Sequence, residues 1–135
     1  MNMHGFIEEE EENNGDIGKT LEKLLQKFLI NNPNVNAIAV ITTEGLPILS
    51  AFPRYMDEVR VAAMTATLLS LAERSIIEME KGNFNQLFIK GSEGYLVILQ
   101  AGPNAVLMIS TTSNIQLGLL FFDAERLIEK IGDLI

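Results

Sequence analysis

Between Val61 and Ala72 the chain carries no charge, and its only polar positions there are Thr65, Thr67 and Ser70 among alanines, methionine, valine and leucines. The surrounding stretch, Asp57 to Lys81, reads as the longest helix. Asp57 and Glu58 open it where negative charge meets the positive end of its dipole, and Lys81 with Gly82 closes it. A helix lying on one core shows a polar face at every turn, whereas this one is apolar on two sides. One side belongs to its own sheet; the other needs a second helix or a partner.

The rest of the pattern is more conventional. Ile17, Leu21, Leu24, Leu25, Phe28 and Leu29 mark one face of a first helix, with Asp16 as its N-cap and Asn32-Pro33-Asn34 as its stop. Val35 to Thr43 is apolar at both parities, with Val35, Ala37, Ala39 and Ile41 on one side and Ile38 and Val40 on the other. Such a strand is covered on both faces. Glu44-Gly45 turns the chain into a second strand, Leu46 to Ala51, where Pro47 suits a sheet edge. Phe84 to Lys90, Tyr95 to Ala101 and Ala105 to Thr111 follow as three strands whose short links make them antiparallel neighbours. Ser113 and Gln116 form a capping box before a last helix striped by Leu117, Leu120, Phe121, Ala124, Leu127, Ile128 and Ile131.

The order is therefore α-β-β-α-β-β-β-α. It predicts an α+β sandwich, a five-stranded and mainly antiparallel sheet with the long helix on one face and the two terminal helices on the other. No element of the chain is left to cover the outer side of the long helix.

Composition narrows the function classes. The net charge of −8 repels nucleic acid and anionic surfaces, and the ten Lys and Arg residues are scattered. Cysteine is absent, which removes disulfides, thiol nucleophiles and the usual zinc sites. No apolar run is long enough to span a membrane, and no signal peptide opens the chain, so a cytoplasmic protein without direct membrane insertion is expected. Residues 1–15, with Glu8 to Glu12 in a block, read as a disordered acidic tail ahead of a folded domain over 16–135.

Candidate chemistry is sparse. Gly18-Lys19-Thr20 ends like a phosphate-binding loop, but the required earlier glycine is Asn13 and glutamates precede it, which is repulsive to a triphosphate. His4, the only histidine, lies in the tail, and no Gly-x-Ser-x-Gly elbow occurs. The reading is of no active site, no metal and no cofactor. Arg54 and Arg60 flank the start of the long helix beside Phe52 and Tyr55. They suit either anchors for a partner, including a finger toward phosphate, or ordinary surface arginines packing their stems. Ala62, Ala63, Thr65, Ala66 and Ser70 permit close approach of another backbone, and Met64, Leu68, Leu69 and Leu71 offer area to bury, which points to self-association. Phe84, Leu87, Phe88 and Ile89 read as an exposed edge strand able to pair with its copy.

Taken together, the Val35-Asn36-Ala37-Ile38-Ala39-Val40-Ile41 strand, the Thr43-Glu44-Gly45-Leu46-Pro47-Ile48 turn, the Ala-rich helix and the pair Leu96-Val97-Ile98-Leu99 and Ala105-Val106-Leu107-Met108-Ile109 resemble the roadblock family. The resemblance covers about Asp16 to Ile135 and carries no catalytic signature. It implies a homodimer, or a heterodimer with a paralogous roadblock protein, joined through the third strand with the long helices side by side. Carried over, the dimer surface falls on Ala62, Ala66 and Leu69 of the helix and on Leu87 and Ile89 of the strand. Family members bind small Ras-like GTPases, scaffolding them or promoting hydrolysis, so the resemblance implies a non-enzymatic regulator or scaffold. The alternative is a small-ligand sensor of the PAS or GAF type, whose polar pocket residues would come from Asn36, Gln86 and Gln100.

Overall fold

The computed structural model describes the backbone of residues 3–135 and the side chains of residues 16–135; Met1, Asn2 and the side chains of the expected acidic tail over residues 1–15, with that of His4, lie outside what is described. The elements are α1 (Met3–Asn31), β1 (Val35–Thr42), β2 (Pro47–Ala51), α2 (Glu58–Glu78), β3 (Gln86–Gly91), β4 (Gly94–Gln100), β5 (Ala105–Thr112) and α3 (Leu117–Leu134). All five strands join one antiparallel sheet in the order β2-β1-β5-β4-β3, so β2 and β3 are its edges. This is the α+β sandwich that the element order predicts.

Two cores form on the two faces. Leu21, Leu25 and Phe28 of α1 and Leu120, Ala124, Leu127 and Ile131 of α3 close over Val97, Leu99, Leu107 and Ile109 of the central strands. On the opposite face Ala62 and Leu69 of α2 pack on Ala39, Ile41, Ile98, Val106 and Met108. Strand alternation explains the division, since neighbours along β4 and β5 point to opposite faces.

One parity differs from expectation. Val35 packs with Ile38 and Val40 on the α1/α3 face, because the register against β5 shifts between Val35 and Ala37 and an irregular step there turns the side chain over.

Three helix ends also differ. Asp16 lies inside α1, and its carbonyl accepts a bond from Thr20 Oγ1 at 2.8 Å; a side-chain cap has no purpose where the helical ladder is already running. Ser113 caps nothing: α3 begins after Gln116, which makes no side-chain cap bond, while Ile115 is held against the α1/α3 core. At the end of α2, Lys81 N donates to Ile76 O at 2.9 Å and Glu80 N to Ile77 O at 3.1 Å, a Schellman motif. Its left-handed position is Glu80, at φ 56°, rather than a glycine. Gly82, at φ 84°, serves the next turn of the chain.

Candidate functional site

The start of α2 is fixed by Asp57, whose carboxylate accepts from Val59 N at 3.1 Å and Arg60 N at 3.3 Å. That cap sets the rotation of the helix over β1 and β2. Where α2 passes the β1–β2 turn the approach is close: a Cβ on Gly45, at φ 95°, would stand 3.1 Å from Ala66 Cβ.

The rotation reassigns the residues expected on the dimer surface. Ala62 and Leu69 are buried in the chain's own core with Thr65, and half-buried Ala66 faces the Gly45 turn. They are taken up by the sheet, because at 100° per residue positions 62, 65 and 69 fall on one line along the helix. The opposite line carries Arg60, Ala63, Met64, Thr67, Leu71 and Arg74, all exposed. Met64 is 42% and Leu71 57% exposed, so this outward stripe is apolar at its centre and cationic at both ends. The signal was present in the sequence: Arg60, Thr67 and Arg74 lie within about 40° of one another around a helix and mark its wet side.

Leu87 and Ile89 share the α2 face of edge strand β3, opposite Ile98 and Leu96. Since α2 lies over β1 and β2, this end of the face is thinly covered: Leu87 and Leu96 are half-buried and Ile89 is 39% exposed. Phe88 points to the other face, stacking on Tyr95 at 5.2 Å between ring centroids and meeting Phe121 of α3 at 6.2 Å.

Arg54, in the loop before α2, and Arg60, on its first turn, are both exposed beside the exposed ring of Tyr55, whereas Phe52 packs against the α2-side core. Gly18-Lys19-Thr20 lies within α1, where backbone N–H groups serve the helix and form no phosphate cradle. The polar strand residues do not converge. Asn36 and Gln86 are exposed, and Gln100 Nε2 donates to Gly102 O at 2.6 Å. Among the described residues no group of three His, Cys, Asp or Glu could hold a metal ion, and no helix is long and apolar enough to cross a membrane.

The arrangement is thus a surface, an outward apolar stripe beside an open sheet edge. A related protein of Methanocaldococcus jannaschii, itself uncharacterized, is 33% identical over 92 residues, covering 68% of this chain and 80% of its own length. In three dimensions the chain resembles Myxococcus xanthus MglB, with TM-score 0.79 at 16% identity, covering 85% of this chain and 94% of that one. It also resembles a Roadblock/LC7 domain from Streptomyces avermitilis, with TM-score 0.64 at 28% identity and coverage of 82% and 96%. The Roadblock/LC7 domain model matches residues 21–111, from Leu21 in α1 to Thr111 in β5, and the chain belongs to the Roadblock/LC7 family.

Proposed function

We propose that this protein is a non-enzymatic dimeric regulator or scaffold for a small Ras-like GTPase, acting in the cytoplasm. The observation that carries the reading is the outward stripe of α2, with Met64 and Leu71 in water beside the half-covered Leu87, Ile89 and Leu96. A soluble chain rarely leaves contiguous apolar surface of this kind without a partner. Pairing of β3 with the β3 of a second copy, or of a paralogous roadblock protein, would lay the two α2 helices side by side over that gap. Ala63 and Thr67 are small enough for close approach there.

The GTPase would meet the same side of the molecule. Arg54 and Arg60 stand at the rim of the stripe, where exposed cations steer a charged partner more than they hold it. Any stimulation of hydrolysis would come from ordering the GTPase's own catalytic residues or from an arginine supplied in trans.

The test is to mix the protein with each small GTPase of the same cell and follow complex formation by size exclusion and GTP turnover in parallel. Binding to one of them is expected. If Arg54→Ala and Arg60→Ala leave turnover intact while binding persists, the arginine-finger role is excluded. Absence of binding to every such GTPase would overturn the reading.

A further inference from the structure

Two open cavities meet on the face of the sheet away from α2. The first, of about 300 Å³, lies between α1 and α3, with Lys27, Asn31 and Asn32 on one side and Asp123, Arg126 and Lys130 on the other. The second, of about 210 Å³, runs past the end of α1 to Asn114, Gln116 and Leu119 around the start of α3. Asn31 and Asn32 line both, so the two form one groove along α3. From Gln116 to Lys130 a helix rises about 21 Å, the reach of roughly six extended residues.

The two halves of the groove differ chemically. In the first, three cations face one carboxylate, in a chain whose net charge is −8. That carboxylate is already engaged, because Asn32 Nδ2 donates to Asp123 Oδ2 at 3.2 Å as well as to Phe28 O at 2.9 Å. Asn32 is 5% exposed, and its two bonds staple the end of α1 to α3 where the cavities meet. Arg126 lies over the ring of Phe122, 5.7 Å from its centroid, which orients the guanidinium before any ligand arrives.

The second half carries no charge and five carboxamides, those of Asn31, Asn32, Asn34, Asn114 and Gln116. Asn31, Asn114 and Gln116 are exposed, and Gln116 makes no cap bond to the helix that it precedes. A carboxamide both donates and accepts, which matches the alternating N–H and C=O groups of an extended main chain. Leu119, 53% exposed, gives that half an apolar wall.

We propose that this groove docks an extended acidic peptide segment of a partner protein. Its carboxylates meet Lys27, Arg126 and Lys130, and its neutral residues run along Asn31, Asn114 and Gln116 past Leu119. Charge complementarity selects an anionic occupant, and the carboxamide half selects a peptide over a compact anion, which would touch the cations alone. The groove lies on the face opposite α2, so this docking does not rest on the GTPase reading.

Fluorescence anisotropy on the full chain with labelled octapeptide pools tests this. Two pools carry three glutamates at the N-terminal or the C-terminal end, with neutral residues randomised at the other positions, and two control pools carry glutamine in place of glutamate. One glutamate pool should bind at least about ten-fold more tightly than its glutamine control, and less tightly as salt rises. Lys27→Glu with Lys130→Glu should lose at least about ten-fold in affinity, and Asn31→Ala with Asn114→Ala about three-fold or more, while circular dichroism stays that of a folded chain. All four positions are exposed, so neither pair disturbs the core. Leu71→Asp on α2 should leave the affinity unchanged.

Equal binding of glutamate and glutamine pools, or loss of binding in Leu71→Asp, would overturn the proposal. So would a groove in which the asparagine pair changes nothing and tripolyphosphate binds as tightly as the peptides, which marks a site for small anions. A fall in the mass of the unliganded chain on reversing Lys27 and Lys130, read by sedimentation, would assign the groove to a second copy and equally overturn it.

Discussion

The two faces of the sheet are built from equally apolar strands, yet the chain finishes them differently. The α1/α3 face is closed by two helices that contribute seven fully or nearly buried apolar side chains, Leu21, Leu25, Phe28, Leu120, Ala124, Leu127 and Ile131. The α2 face has one helix, with Ala62, Thr65 and Leu69 as its buried residues, and it leaves the β3 end half covered. One face is a completed core, and the other is a core with room for a second helix. The difference is what the proposed recognition through α2 and β3 rests on, and it owes nothing to any polar motif.

Truncations on the two faces should separate them most sharply. Leu107→Ala, under α1 and α3, should cost about 3–5 kcal/mol in chemical denaturation, because two helices hold the cavity open. Leu69→Ala, under α2, should cost about 2–3 kcal/mol, since a thinly covered site can relax or admit water. Equal losses would mean that the α2 face is as closed as the other. A smaller effect is expected from Gly45→Ala, about 1–2 kcal/mol, because a left-handed φ and the 3.1 Å approach to Ala66 both oppose the methyl group. It should be larger than the effect of Gly18→Ala, where nothing lies within reach.

Glu80→Gly should act in the opposite direction and stabilise the end of α2 by roughly 0.5–1 kcal/mol, read as a raised denaturation midpoint. Smallest in its effect on folding is Leu71→Asp on the outward stripe, within about 0.5 kcal/mol for the isolated chain. The same variant should halve the mass of the proposed α2-mediated dimer in light scattering. A dimer that survives Leu71→Asp and Ile89→Asp would place the partner elsewhere.

Most of the architecture was legible in the sequence, because each strand is short, apolar and bounded by turn residues such as Glu44-Gly45 and Gly102-Pro103-Asn104. The covered and edge strands were legible for the same reason, with Val35 to Ile41 apolar on both parities and Pro47 in an edge strand. What failed was phase. In α2 the outward and inward lines are both apolar within the uncharged run, so the alanines alone do not say which of them face the sheet; the phase is carried by Arg60, Thr67 and Arg74 on the wet line, and the inward set is held by the Asp57 cap and the tight passage over Gly45. In β1 a single irregular step at Val35 inverts one side chain, and local composition does not encode it. At the start of α3 the tertiary contact of Ile115 outweighs a local capping pattern.

Pro47 has a consequence for how large such a sheet can become. A sheet with two equally receptive edges can add copies at both ends, and head-to-tail addition of that kind has no natural stopping point. Here β2 is only five residues long and begins with a residue that has no N–H to donate, whereas β3 presents a six-residue edge with its donors intact. Growth by strand addition is therefore favoured at one side: a β3-to-β3 union of the kind proposed above would consume the receptive edge of both copies, and Pro47 removes a donor from the edge that would remain.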